Sequence, residues 1–170
     1  LHSNNISWPA LLKLNSSGQL LVIDTISPGT SGQGVTFLDY DDQEMIYASG
    51  DLAGLHPTMF VSKYDTSGNQ RWLQRFYTSD STEILSKKIK YNSDGSIYAM
   101  GLSSDSLYNF HLQVLKLDTS GNILQRFSDS SNFISSYPVD FEVGQNGYLY
   151  CLTQSLLSGT GSVDICILAY

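Results

Sequence analysis

Residues 59–72 read MFVSKYDTSGNQRW: a run of strand-forming residues ending at Lys63, the turn YDTSGN over 64–69, and a new strand carrying Trp72. The turn returns as LDTSGN over 117–122 and, with Asn for Asp, as LNSSGQ over 14–19. Each copy follows a short apolar strand that carries a lysine, ALLKL, MFVSKY or LQVLKL, and Lys13, Lys63 and Lys116 lie 50 and 53 residues apart. Asp65 and Asp118 can bond their own backbone two residues on, with Asn15 in the same role. Gly68 and Gly121 supply the positive φ that a tight hairpin demands.

A second feature recurs between the turns as EMIYASG, SIYAMG and YLYCLT, with Tyr47, Tyr98 and Tyr150 spaced by 51 and 52 residues. Ahead of each comes another strand-like run and a turn: TFLDYDDQ, KIKYNSDG and DFEVGQNG. The repeat therefore holds four short strands in about 52 residues, the length and content of a β-propeller blade. The strands are rich in Tyr, Phe, Ile, Val and Leu, their separators in Asp, Asn, Ser and Gly, and no amphipathic helix is evident. The expected fold is all-β: one domain over 1–170 of tandem four-stranded propeller-like blades, with units of roughly 6–55, 56–107 and 108–161 and a partial unit at 162–170.

The runs MFVSKYDTSGNQRW and YNSDGSIYAMG resemble the seven-bladed β-propeller repeat (SBBP type) of bacterial and some eukaryotic surface proteins. There a strand ending in Lys and an Asp-x-Ser-Gly-Asn turn precede a Trp strand. The likeness spans almost the whole chain and rests on turn and packing residues, so it implies a fold and says little about a ligand. Trp72 matches the repeat's tryptophan, whereas Val22 and Gln125 stand in the equivalent places and Ala169 replaces the lysine.

Composition sets the surroundings. Of the 170 residues 41% are hydrophobic, enough for one core, but only 15% are charged, and Ser, Thr, Asn and Gln take over the solubilising role. A net charge of -7 with nine scattered Lys and Arg provides no basic stripe for nucleic acid or an anionic membrane. No apolar run approaches the roughly 20 residues of a membrane span. The start at Leu1, without a signal-peptide pattern, suggests a processed protein or an excerpt from a longer one. Cys151 and Cys166 form an even pair, and the sequons Asn5-Ile6-Ser7 and Asn15-Ser16-Ser17 are candidate N-glycosylation sites. Together these lean towards an extracellular or cell-surface location. The two cysteines either bond across a hairpin, depending on register, or are small buried hydrophobes.

Candidate chemistry is sparse. A turn aspartate could ligate calcium, but each turn carries a single acid where a loop site needs several, so no metal or other cofactor is assigned. Arg75 and Arg126, in the twice-used segment LQRF, could bind an acidic ligand, though an outer-strand arginine is more often solvated or paired locally. The stretch DYDDQE over 39–44 could offer a carboxylate pair of the glycosidase kind, yet it sits where the other units place a hairpin. Asp80, Asp105 and Asp129 are dispersed. His2, His56 and His111 have no ligand spacing, and no nucleophile elbow, phosphate loop or dinucleotide fingerprint occurs. No catalytic residue is assigned and an enzyme is not expected.

The strand count suggests a function. Three full units plus the extra strand VDICILAY fall short of the roughly four blades of a closed propeller. In blade phase the first strands of the chain are the last two of a sheet, and the final strands are the first three of another. Both ends then expose edges and apolar faces. The expected function is an extracellular structural or adhesive repeat protein, completed by identical subunits or by the remainder of a longer chain, and building a surface structure or filament. The expected interface is Trp8, Leu11, Leu12 and Leu14 at one end with Ile165, Ile167, Leu168 and Tyr170 at the other. The alternative is a propeller segment of a longer surface protein that binds glycan or protein.

Overall fold

The structure, a computed structural model, describes residues 10–25, 33–52, 57–77, 83–129, 133–157 and 163–170. These form 13 β-strands and no helix. In chain order they are β1 (Ala10–Leu14), β2 (Leu20–Thr25), β3 (Gln33–Tyr40), β4 (Ile46–Leu52), β5 (Thr58–Tyr64), β6 (Gln70–Phe76), β7 (Glu83–Tyr91), β8 (Ile97–Ser104), β9 (Phe110–Leu117), β10 (Ile123–Ser128), β11 (Phe133–Val143), β12 (Leu149–Leu157) and β13 (Val163–Ala169). They make four small antiparallel sheets, each a simple meander: β1-β2, β3 to β6, β7 to β10, and β11-β12-β13. We call them the first to fourth sheets. The end sheets hold two and three strands, and the middle two hold four each.

One turn geometry builds most of the meander. In the β5–β6 hairpin the Asp65 amide donates to the Asn69 carbonyl at 3.0 Å and the Gly68 amide to the Asp65 carbonyl at 2.9 Å, with Gly68 at a φ of 88°. The same pair of bonds closes the turns that begin at Asn15, Asp41, Asn92, Asp105, Asp118 and Gly144. The fourth residue is left-handed every time: Gly18, Glu44, Gly95, Tyr108, Gly121 and Gly147 in the other six. This is a three-residue loop with its bulge at the left-handed position, which matches the twist of paired strands. In the turns that begin at Asn15, Asp41, Asp65, Asp105 and Asp118 the side chain of the first residue locks the turn, whereas in the Asn92 turn Asp94 accepts from the Ser96 amide. Asp65, for example, accepts from the Ser67 and Asn69 amides, both at 2.9 Å. Asp118 likewise accepts from the Ser120 and Asn122 amides at 2.8 and 2.9 Å, and Gly121 has a φ of 88°.

Alternation along the strands then divides the apolar residues between two faces. Tyr47, Met59, Val61 and Phe76 of the second sheet bury against Ile84, Ile89, Ile97, Ala99, Leu115 and Leu117 of the third. Tyr98, Met100, Leu112 and Val114 on the other face of the third sheet bury against Phe141, Leu149 and Cys151 of the fourth. Leu11 of the first sheet closes onto Ala48, Leu52, Phe60 and Tyr64 of the second. The sheets are thus stacked face to face in chain order, and each interior sheet is covered on both faces.

Two predictions follow from the turns. Gly121 and Gly147 share the left-handed backbone, but a Cβ at Gly121 would meet Trp72 and Gln74 at 3.1–3.2 Å, whereas Gly147 has nothing within 4 Å. Gly147→Ala should therefore cost about 1 kcal/mol and Gly121→Ala about 2 kcal/mol or more, read from urea unfolding midpoints. The second concerns acid. Hydrogen bonds from Asn109 hold the Asp105 carboxyl down at about 2, and the Asn69 and Asn122 side chains lower Asp65 and Asp118 in the same way. A depressed acid stabilises the fold above its unfolded value and loses that contribution as it protonates. The urea midpoint should fall as pH drops from 3.8 through about 2. Asp51 and Asp129, raised by burial, act with the opposite sign at higher pH.

Candidate functional site

The contacts between sheets explain what the ends lack. Lys13 Nζ in the first sheet donates to the Thr66 carbonyl of the second at 3.1 Å. One repeat on, Lys63 Nζ donates to the Thr119 carbonyl of the third at 3.4 Å, and Trp72 Nε1 donates to the same oxygen at 3.1 Å. The five-residue turn makes this possible, because the carbonyl of its second residue points out of the hairpin towards the preceding sheet. Beneath the lysine lies an aromatic ring. Lys63 sits 5.1 Å above Tyr47, and Tyr47 stacks on Tyr91 of the next sheet with centroids 5.9 Å apart. Burial and a bond to Asp41 raise the Tyr47 hydroxyl's pKa and keep it a donor, at 3.0 Å from the Asp41 carboxylate.

Lys116 repeats half of this. It lies 5.3 Å over Tyr98, as Lys63 does over Tyr47, but its ammonium turns back to Asp94 of its own sheet at 3.4 Å. The partner turn would belong to a third–fourth hairpin in the fourth sheet, of which β11, β12 and β13 are the strands among the described residues.

The proposed interface residues divide into two sets. Leu12 and Leu14 are 57% and 56% exposed, whereas their counterparts one sheet pair along, Leu115 and Leu117, are 1% and 0%. Ile165 and Ile167 are 75% and 72% exposed, against 0% for both Leu112 and Val114 at the matching places of β9. Leu11, in contrast, is buried and holds the first sheet onto the second. Leu168 and Tyr170 are half-buried against the third sheet, with Tyr170 packed on Phe127 at 5.6 Å and its hydroxyl donating to the Ser128 carbonyl at 2.7 Å. Trp8 and Asn5 lie outside the described residues.

The remaining candidates have local partners. Asn15 Oδ1 accepts from the Ser17 and Gln19 amides, so this sequon doubles as a turn. Both thiols are free: the register sets Leu168 across from Cys151 and Thr153 across from Cys166. Burial pushes the Cys151 thiol up to about 12, where it is a poor nucleophile. In the acidic stretch 39–44, Asp41 caps its turn and Asp39 accepts from the Tyr91 amide at 2.7 Å. His111 lies between Asp105 and Asp129 at 3.6 and 3.5 Å. Arg126 lines a shallow outer groove with Arg75. Among the described residues no cluster of three or more His, Cys, Asp or Glu is placed to hold a metal ion.

Sequence reasoning missed Leu38 and Tyr40, which line an open groove with Leu12 and Leu14. It also missed Tyr150 and Leu152, which line another with Ile167. The signal was there: Leu38 and Tyr40 align with Ile89 and Tyr91, which the second sheet covers.

No protein family's sequence profile matches the chain, and no curated protein matches it. The resemblance to propeller repeats rests on the residues themselves.

The bond from Trp72 to the Thr119 carbonyl offers a direct check on the inter-sheet link. Trp72→Phe keeps an aromatic ring and removes the donor, and should lower unfolding free energy by about 1 kcal/mol in urea titration. Gln125→Ala, at the equivalent but exposed place in β10, should change it by less than about 0.5 kcal/mol.

Proposed function

We propose that this chain is a β-propeller-like repeat protein of the cell surface or extracellular space, with a structural or adhesive role. Its sheets act as blades, and copies of the chain join end to end through the two incomplete sheets to build a larger structure or filament. The observation that carries this reading is the contrast in exposure: the same sequence positions are sealed between sheets in the middle of the stack and bare at both ends. Two apolar faces at opposite ends of one molecule differ in composition, so their contact is head-to-tail. Such a contact closes into a ring or runs on as a filament, depending on the rotation between copies. Covering one Leu or Ile side chain contributes about 1.5–3 kcal/mol before the cost of association, so a face with several of them is a plausible seam.

The acidic, lysine-poor surface fits a protein that meets others of its kind through apolar ends rather than through charge. The turn aspartates and inter-sheet lysines are already committed within the fold, whereas Leu12, Leu14, Ile165 and Ile167 at the ends are exposed.

Light scattering on a size-exclusion column at micromolar concentration tests the proposal. The expected result is a mass of several chains, reduced to one chain by Leu14→Asp or Leu12→Asp, whose side chains are exposed and whose loss should leave the fold intact. A compact monomer throughout would overturn it.

A further inference from the structure

The two end sheets are complementary in strand content. By alignment with the middle sheets, with Lys13 matching Lys63 and Lys116, β1 and β2 correspond to the third and fourth strands of a sheet, and among the described residues they pair only with each other. The fourth sheet has a first strand, a second strand and, in β13, a third. β13 is a poor third strand. Ala169 stands where the others carry lysine, and Ile165 and Ile167 are bare. Its backbone pairs with β12 at seven positions, and of its described apolar side chains Leu168 and Tyr170 pack against the third sheet.

We propose that the β1–β2 hairpin of a second copy replaces β13, so that β11 and β12 of one copy and β1 and β2 of the next make a single four-stranded sheet. This rests on the assembly reading above and specifies its contact. β13 is then a placeholder that covers the fourth sheet in the lone chain and leaves on assembly, a form of strand exchange.

Four features support this assignment. The resulting sheet has four strands, like the two in the middle. The second copy's Asn15 turn has the same closing bonds as the Asp65 and Asp118 turns, so its Ser16 carbonyl takes the place of Thr66 and Thr119 and offers Lys116, turned to Asp94 in the lone chain, an inter-sheet acceptor. Leu12 and Leu14 of the second copy enter the places of Leu168 and Tyr170 against the third sheet, and the exposed Ile167 gives way to Leu11, which its own second sheet already covers. Tyr150 of the first copy then lies over Leu38 and Tyr40 of the second, as Tyr47 lies over Tyr91. One junction thereby closes both grooves. Where Lys90 pairs with Glu142 between the third and fourth sheets, the junction sets Glu142 near Asp39, a like-charge meeting at the surface that salt screens.

The register makes the proposal testable. Ala48 pairs with Ser62 and Ala99 with Leu115, so position 12 of the second copy falls across from Cys151 of the first. Directly opposed residues in antiparallel strands lie about 4.5–5.5 Å apart at Cα, within disulfide reach. The full chain carrying Leu12→Cys and Cys166→Ser is oxidised mildly and run on a non-reducing gel beside the Cys166→Ser chain. The expected result is a ladder of covalent dimers and larger species in the first only, with mass spectrometry joining the peptide at position 12 to that of Cys151. In the lone chain Leu168 of β13 lies across from Cys151, so the link reports departure of β13. A second pair, Lys13→Cys with Tyr150→Cys in a chain with both native cysteines changed to Ser, reads the same register through more exposed positions. Unlinked chains, links through position 12 alone, or a 12-to-151 link within one chain would each overturn the proposal. If light scattering still shows assemblies in those cases, the assembly reading stands and only strand exchange falls. If it shows monomer, both fall.

Discussion

Two of the three joints in the stack share one small interaction: a lysine in the third strand of a sheet donates to a main-chain carbonyl in the turn of the next. The acceptor is available because a five-residue hairpin with a left-handed fourth residue leaves the second residue's carbonyl unpaired inside the turn. A side-chain acceptor could swing away, whereas a carbonyl fixed in a locked turn is a rigid target. The Lys63 ammonium also sits over the ring of Tyr47, so its order serves a cation-π contact as well as the bond. Turn chemistry, sheet spacing and aromatic stacking are therefore coupled, and a substitution in the turn is felt on the neighbouring sheet.

That coupling explains how much could be read from the sequence. Asp65, Gly68, Asp118 and Gly121 announce their turns because only Gly takes positive φ cheaply and only a short acid or amide caps the loop. The turn at Asp105 makes the same bonds, yet it places Tyr108 in the left-handed position, so no Gly marked it. Glu44 does likewise in the Asp41 turn, which alignment with the other units revealed. Strand pairing compensates for the strain of these two residues, and pairing is not local information. The assembly residues show the same limit. Leu11 and Leu12 are adjacent leucines in one strand, and only the packing order decides which is sealed against Phe60 and which is bare. The exposure of Leu38 and Tyr40 depends on a neighbour's absence, which their own sequence does not encode.

Polar groups in the joints add directionality that apolar packing lacks. Ser86 Oγ bonds to Ser49 Oγ at 2.8 Å across the second and third sheets, and the Ser86 amide donates to Asp51. One joint on, the Phe110 amide donates to Ser135 Oγ at 2.9 Å, while Ser136, Ser155 and Thr153 form a buried hydroxyl chain within the fourth sheet. Each joint thus has its own polar pattern at a shared geometry. Buried hydroxyls are costly unless paired, so a sheet that slides or rotates relative to its neighbour loses bonds that a purely apolar seam would retain. The order of the sheets is fixed by these groups as much as by size and shape.

The two ends differ from the joints in this respect, and the difference bears on specificity. Leu12, Leu14, Ile165 and Ile167 form apolar surfaces without such a polar key, and apolar surfaces alone select partners weakly. Exposed strand edges compound the problem, because an open edge pairs with almost any other extended segment. A junction that reuses the Lys116 position, the Asn15 turn and the strand register would bring directional contacts to a surface that otherwise has few. Selectivity at the ends would then come from the same carbonyl-to-lysine bond that orders the interior, with the strand sequence supplying area and the turn supplying register.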